Sequence, residues 1–288
     1  MPRPVETIAL TTLALVAFAG NSLLTRMALA GHSIDAASFT AIRLTSGVLV
    51  LVALVRARAG DFHPLRGRSL RGPLALFVYA VPFSFAYLRL GASVGALLLF
   101  GSVQLTMIGW ALARGERPTP RVWLGLALAA GGLGTLMLPA ATRPDPLGAL
   151  LMITAGAAWG AYSLAGKGAT DPLVANARSF LWATPPAILL GLARAATGAS
   201  FAIGARGAAL AVAAGAVTSA LGYAIWYRAL RGLTATQAAI VQLAVPVIAG
   251  LGAVALLGEH PSQRLIVSAV AVLGGVALVL SRRPSPNR

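Results

Sequence analysis

The chain has 288 residues, of which 58% are hydrophobic and 10% charged, with a mean hydropathy of +0.81. A water-facing domain carries about 25% charged residues, so this composition excludes a soluble globular fold and calls for lipid around the surface. The net charge of +16 would point a soluble protein to nucleic acid, but here the basic residues lie between apolar runs, where cytoplasmic membrane loops account for them and no nucleic acid is needed.

Apolar runs fall at roughly 5–30, 36–55, 71–90, 92–111, 121–138, 147–166, 173–193, 206–229, 235–256 and 263–280. At about 20 apolar residues per span, they predict an all-α polytopic membrane protein with ten transmembrane helices. A β-barrel is disfavoured, because barrel strands alternate apolar and polar residues whereas these runs are continuously apolar. The first run could pass for a signal peptide, since Arg3 precedes it and Ala28-Leu29-Ala30 resembles a cleavage site. It nevertheless continues through Asn21, Ser22 and Arg26 and has a partner later in the chain, so it is read as a retained span. Disulfides and thiolate metal sites are excluded, because the chain has no cysteine.

The sequence repeats itself. At an offset of 143, Ala92, Ala96, Gly109, Gly115, Glu116, Pro118, Arg121 and Gly131-Gly132 stand opposite Ala235, Ala239, Gly252, Gly258, Glu259, Pro261, Arg264 and Gly274-Gly275. At an offset of 140, Ala17, Gly20 and Leu24 stand opposite Ala157, Gly160 and Leu164. This divides the chain into residues 1–141 and 142–288, five spans each, joined through a proline-bearing segment at 142–146. An odd number of spans per copy forces the second to enter the membrane from the opposite side. The charges agree. With a cytoplasmic amino terminus, 15 basic residues fall inside (Arg3, five between Arg56 and Arg71, Arg114, Arg117, Arg121, Lys167, Arg228, Arg231, Arg282, Arg283 and Arg288). Only 5 fall outside (Arg89, Arg143, Arg194, Arg206 and Arg264), while Arg26, Arg43 and Arg178 lie within spans. Both termini are therefore expected in the cytoplasm, and the scarcity of lysine beside arginine suggests a GC-rich bacterial source, hence a bacterial inner membrane. Two inverted five-helix repeats point to a secondary transporter working by alternating access. A duplicated scaffold that moves nothing is the competing reading.

The seven acids are Glu6, Asp35, Asp61, Glu116, Asp145, Asp171 and Glu259, and each falls at a span end or in a loop. Intramembrane carboxylates are the usual proton relays and cation sites. Their absence from mid-span predicts uncoupled, facilitated export of neutral or zwitterionic solutes, without metal or cofactor. His32, His63 and His260 also lie in loops. An intramembrane enzyme would need paired carboxylates or a histidine–metal cluster in the spans, so the chain is not read as an enzyme. Glu116 and Glu259 are read as braces of their turns.

Seven of the ten Trp and Tyr residues fall in the third, sixth and eighth spans: Tyr79, Tyr87, Trp159, Tyr162, Tyr223, Trp226 and Tyr227. Tyr79, Phe83 and Tyr87 recur at every fourth position and share a helix face. An interfacial belt accounts for rings near span ends, such as Trp110 and Trp123. It does not account for Tyr79 and Trp159 at mid-span, where lining a pocket for a flat apolar side chain and packing between helices are the two readings. Asn21, Ser22, Ser84, Gln104, Ser163, Gln237 and Gln242 are the polar mid-span groups, suited to bonds between helices or to a ligand's ammonium and carboxylate. The candidate substrate-binding set is therefore Asn21, Tyr79, Phe83, Gln104, Trp159, Tyr162, Ser163, Tyr223, Trp226 and Gln242. Pro82 and Pro246 remove helix hydrogen bonds and are the candidate conformational residues.

With its Trp159-Gly160 pair, Arg43 and Arg178 early in the second helix of each repeat, Pro246, the Gly-Glu-x-Pro turns and the glycine pairs, the chain resembles the drug/metabolite transporter superfamily, in its EamA-domain group, over nearly its whole length. Within it, the chain is most similar to aromatic amino-acid exporters of the YddG type. The resemblance implies ten helices, cytoplasmic termini and a central cavity lined by helices one, three, four, six, eight and nine. The first copy departs from the pattern: Phe18-Ala19-Gly20 lacks the tryptophan, and Val103 stands opposite Pro246. The expected function is export of amino acids, aromatic ones preferred, by a monomer in the lipid bilayer. Another small metabolite or drug, carried by the same fold with or without proton coupling, is the alternative.

Overall fold

The structure, a computed structural model, describes residues 4–31, 33–59, 69–138, 143–197, 202–257 and 262–281. These form successive helical stretches: α1 (Pro4–Ala30), α2 (Ala36–Ala59), α3 (Arg71–Ala86), α4 (Ala92–Ala113), α5 (Pro120–Met137), α6 (Pro146–Lys167), α7 (Pro172–Ala196), α8 (Ala205–Gly232), α9 (235–257) and α10 (Gln263–Leu280). Outside them, the described residues pair strand-like at one point, Ile34 with Ile203. Seven of the stretches (α1, α2, α4, α6, α8, α9 and α10) are long and apolar enough to cross a membrane, and α3 is apolar but shorter. Helix is the only local solution for such runs in lipid, since every backbone donor then finds its acceptor within the segment.

Polar residues punctuate the runs and start the helices. Asp35 accepts from the backbone N–H groups of Ala37 and Ser38, Asp145 from Gly148, and Asp171 from Leu173 and Val174. Proline follows Asp145 and Asp171 at the first helical position, where its missing N–H costs nothing. Thr234 and Gln237 close a reciprocal capping box at the start of α9. The large apolar residues left exposed, among them Val5, Leu13, Leu105, Leu189 and Val270, form the surface that the composition assigns to lipid.

Two helices depart from regular α geometry. α8 is α-helical over Ala205–Ala213, widens to a π-helix over Ala214–Leu221, returns to α over Gly222–Ala229 and ends in a 3-10 turn, Leu230–Gly232. α9 carries a 3-10 turn, Gln242–Ala244, immediately before Pro246, whose ring cannot donate to the carbonyl four residues back.

The tightest helix pairs run antiparallel. Along α5 and α10, Arg121 bonds Ser281 and Thr135 bonds Ser268, so the register descends on one as it climbs on the other. Along α2 and α7, Arg58 pairs with Asp171 while a Cβ on Gly47 would strike Phe180. Between α5 and α10 the backbones all but touch: a Cβ at Gly275 would lie 2.5 Å from the Gly125 carbonyl oxygen. α6 packs on α3 and α4, and α1 packs on α8 and α9. Of the two glycine pairs, Gly132 and Gly275 face the opposite helix, whereas Gly131 and Gly274 face open space. Gly275→Val should therefore lower the melting temperature in detergent, at a cost of about 1–3 kcal/mol, while Gly274→Ala should leave it within error.

Candidate functional site

The centre of the bundle is a cluster of rings. Trp159 of α6 lies 4.7 Å from Tyr223 of α8, 4.9 Å from Tyr79 of α3 and 5.1 Å from Phe18 of α1, measured between ring centroids. Phe83 continues the stack 5.2 Å from Tyr79, one helical turn further along the face that also carries Tyr87. Phe18 meets both Trp159 and Tyr223 edge to face, the arrangement that sets positive ring edges on negative ring faces.

These rings enclose a small cavity of about 30 Å³, lined by Phe18, Asn21, Ser22, Tyr79, Phe83, Leu99, Phe100, Trp159, Tyr223, Gln242 and Val245. That space holds about one water molecule. It adjoins a larger chamber of about 250 Å³, which shares Ser22, Leu99, Phe100 and Val245 and continues along Arg26, Tyr87, Ser93, Met137, Pro246 and Gly250. Those residues lie towards one end of the bundle, where α1 and α3 finish and α4 begins. The larger chamber is near the lower limit of small-molecule sites, about 300–1,000 Å³.

The polar tips of Trp159 and Gln242 on the cavity wall are held. The Trp159 indole N–H donates to Gln242 Oε1 at 2.6 Å, and Gln242 Nε2 donates to the Ala238 carbonyl at 2.8 Å. Asn21 Oδ1 accepts only long bonds, 3.4 Å from each of the Thr218 and Ser219 hydroxyls. Both hydroxyls belong to the π-helical part of α8, whose wider turn brings that face onto α1 and α2. Gly215 permits the approach, since a Cβ there would overlap the Arg43 carbonyl oxygen. Arg43 is buried, donates from Nε to Ser219 at 2.9 Å and from Nη2 to the Tyr223 hydroxyl at 2.6 Å, and sets its guanidinium over the Tyr79 ring.

The opposite end of the cluster is packed shut. The Tyr162 hydroxyl donates to Asn176, Tyr227 donates to the Tyr162 carbonyl, and the Trp226 indole donates to Ser163. Beyond them, Lys167 donates to the carbonyls of Leu230 and Leu233 at the end of α8. Glu116 completes the closure. It follows Gly115, whose φ of +84° turns the chain sharply, and its carboxylate accepts from Ala235 N at 2.8 Å, Thr236 N at 3.2 Å and Thr236 Oγ1 at 2.8 Å. The brace expected at this turn is thus present, but its partner is the positive N-terminus of α9 and not an arginine. Its counterpart, Glu259, lies outside the described residues.

Of the sequence-derived candidates, Asn21, Tyr79, Phe83, Trp159, Tyr223 and Gln242 meet on the cavity wall. Tyr162, Ser163 and Trp226 lie behind it, in the packed seal. Gln104 faces α9 and donates from Nε2 to the Ala239 carbonyl at 2.8 Å, a bond between helices. Pro82 sits between Tyr79 and Phe83 in α3, and Pro246 lines the larger chamber. Phe18, Leu99 and Phe100 were not anticipated; Phe18 stands one position before the residue opposite Trp159 and supplies a ring where the first copy lacks its tryptophan. The five described acids, Glu6, Asp35, Glu116, Asp145 and Asp171, all serve helix ends, and no cluster able to hold a metal ion occurs among the described residues.

Comparison with known proteins gives a consistent result. The profile of the EamA-like transporter family matches residues 146–281. A Pseudomonas aeruginosa protein named uncharacterized protein PA1977 is 52% identical over 278 residues, covering 96% of each chain. The Bacillus subtilis uncharacterized transporter YwfM is 28% identical over 286 residues, covering 95% of this chain and 94% of that one. A probable terminal-alkyne amino-acid exporter of Streptantibioticus cattleyicolor is 24% identical over 274 residues, covering 89% and 87%. A solved crystal structure matches the fold with a TM-score of 0.75 at 23% identity, over 95% of this chain and 99% of its own.

The carboxylate of Glu116 makes a direct prediction. Glu116→Ala removes three accepted hydrogen bonds from the start of α9, a capping loss of about 0.5–2 kcal/mol. The closed end should open more often, read as faster labelling of a cysteine placed at the buried Ala235. The native chain contains no cysteine to compete for the label.

Proposed function

The chain belongs to the EamA-like transporter family, and we propose that it exports amino acids, aromatic ones preferred, across the bacterial inner membrane by alternating access. The observation that carries the proposal is the ring-walled cavity, in which Phe18, Tyr79, Phe83, Trp159 and Tyr223 surround a space edged by the amides of Asn21 and Gln242. The space itself is about 30 Å³, and it opens on the adjoining chamber of about 250 Å³, so that parting of the rings toward that chamber makes room for a flat apolar side chain and leaves polar tips for the backbone groups of an amino acid. A relative at 24% identity is named an amino-acid exporter, which favours the same cargo class.

In this reading the chain crosses the membrane ten times as two inverted five-helix repeats, residues 1–141 and 142–288, with both termini cytoplasmic and the monomer as the working unit. The helix packing supports it. α2 lies antiparallel to α7, and α5 to α10, as expected of equivalent helices related by an axis in the membrane plane. Exchanging the halves also turns the contacts of α6 with α3 and α4 into those of α1 with α8 and α9. The larger chamber then faces the cell exterior, and the seal of Glu116 and Lys167 faces the cytoplasm. Substrate leaves by a switch that parts the seal and closes the chamber, with Pro82 and Pro246 as points where the helices bend. The described acids are all engaged at helix ends, which favours facilitated efflux over proton coupling.

Counterflow of labelled phenylalanine into proteoliposomes tests the proposal. Exchange against unlabelled phenylalanine should proceed equally with and without an imposed pH gradient. Uptake that requires the gradient would overturn the uncoupled mechanism, and no uptake by folded protein would shift the cargo to another metabolite or drug. In the same assay, per unit of folded protein, Trp159→Ala should weaken the apparent affinity for phenylalanine about 3–10-fold, the worth of one or two ring pairs; a loss confined to the yield of folded protein would favour the packing role instead.

A further inference from the structure

Arg43 is the only charged side chain in the buried core of the described residues. Its Nε and Nη2 are satisfied by Ser219 and Tyr223, but Nη1 has no hydrogen-bond partner. The guanidinium lies over two rings of the cavity wall, 5.5 Å from the Tyr79 centroid and 5.8 Å from that of Phe83. No counter-charge accompanies it among the described residues. Glu6, Asp145 and Asp171 pair with Arg228, Arg89 and Arg58, Asp35 caps α2, and Glu116 holds the start of α9. Ring faces and hydroxyls attract a cation but do not neutralise it, and a lone buried charge in a membrane bundle is costly unless an anion joins it.

We propose that Arg43 is the anion anchor of the central cavity, so that a transported solute must carry a carboxylate. This rests on the cavity described above and narrows its cargo to carboxylate-bearing aromatic solutes. The Tyr223 hydroxyl accepts from Arg43, which leaves its own proton for the Tyr79 hydroxyl, 3.4 Å away. The positive charge thereby reaches the cavity wall through two phenols in series, and the Tyr79 O–H at the end of that chain is the donor to an incoming carboxylate. As the solute's ring displaces Tyr79 and Phe83 from the guanidinium, the free Nη1 becomes the direct partner. The opposite pole of an amino acid, its ammonium, finds Asn21 Oδ1, whose present bonds are long.

The test uses purified full-length protein and three probes of one shape: 3-phenylpropionate, 3-phenylpropanol and phenethylamine. Binding is read by quenching of tryptophan fluorescence, since Trp159 and Trp226 lie in or beside the cluster. The acid should bind at least about tenfold more tightly than the alcohol, and the amine should not compete with it. Equal binding of acid and alcohol, preference for the amine, or binding of none would overturn the proposal. In Arg43→Gln the preference for acid over alcohol should collapse to within about twofold, while in Arg43→Lys it should persist at reduced affinity. A purely structural arginine would instead weaken acid and alcohol alike. If Arg43→Gln fails to fold, the wild-type panel and Arg43→Lys decide. Acid-selective binding without phenylalanine counterflow would sink the amino-acid reading and leave the anchor standing; phenylalanine counterflow with equal binding of acid and alcohol would do the reverse.

Discussion

The ring of Tyr223 is where the bundle is tied together. It packs against Phe18 of α1, Trp159 and Tyr162 of α6 and Phe180 of α7, its hydroxyl takes a hydrogen bond from Arg43 of α2, and it lies 3.4 Å from the Tyr79 hydroxyl of α3. Five helices thus converge on one side chain of a sixth. In lipid the hydrophobic effect does not drive helices together, because lipid tails are as apolar as leucine. Close packing of ring faces and the internal satisfaction of polar groups must do so, and Tyr223 offers both. The same residue borders the cavity, so the contacts that define the fold also define what the cavity accepts.

The same face of α8 serves both ends of this contact set. Ser219, Tyr223 and Trp226 stand at i, i+4 and i+7 and so share one side of the helix, which meets Arg43, the ring cluster and Ser163 in turn. The π-helical stretch from Ala214 to Leu221 widens the turn that carries Thr218 and Ser219. Gly215 carries its entropic cost there because only a residue without Cβ lets the widened turn sit against the Arg43 carbonyl.

The helices were legible because long apolar runs are written in composition, and seven of them among the described residues are long and apolar enough to cross a membrane. Most of the cavity wall was legible because rings at helical spacing in mid-span lie too deep for an interfacial belt. Tyr79, Phe83, Trp159 and Tyr223 could be read in this way. Phe18, Leu99 and Phe100 could not, since Phe and Leu fill every transmembrane helix and nothing local separates those facing a cavity from those facing lipid. Gln104 and Gln242 look alike in the sequence, yet the first bonds a backbone carbonyl of α9 and the second orients Trp159. Their difference is a matter of which neighbour the helix rotation presents. The π-helix was invisible too, and the Arg43 carbonyl that its Gly215 packs against lies on α2, far away in sequence.

One end of the bundle is held by the caps at the start of α9. α9 begins with Thr234 and Gln237 in a reciprocal box, and Glu116 adds a carboxylate from the other half of the chain. At the matching place α4 begins with Gly91, which has no side-chain cap, and Ser93 there borders the larger chamber. A carboxylate on an N-terminal helix dipole is worth about 0.3–1 kcal/mol at an exposed site and more when partly buried, and each cap bond adds a similar amount. These bonds sit in turns and caps rather than in the cavity, so the packing of that end can be tuned without altering the rings that line the site.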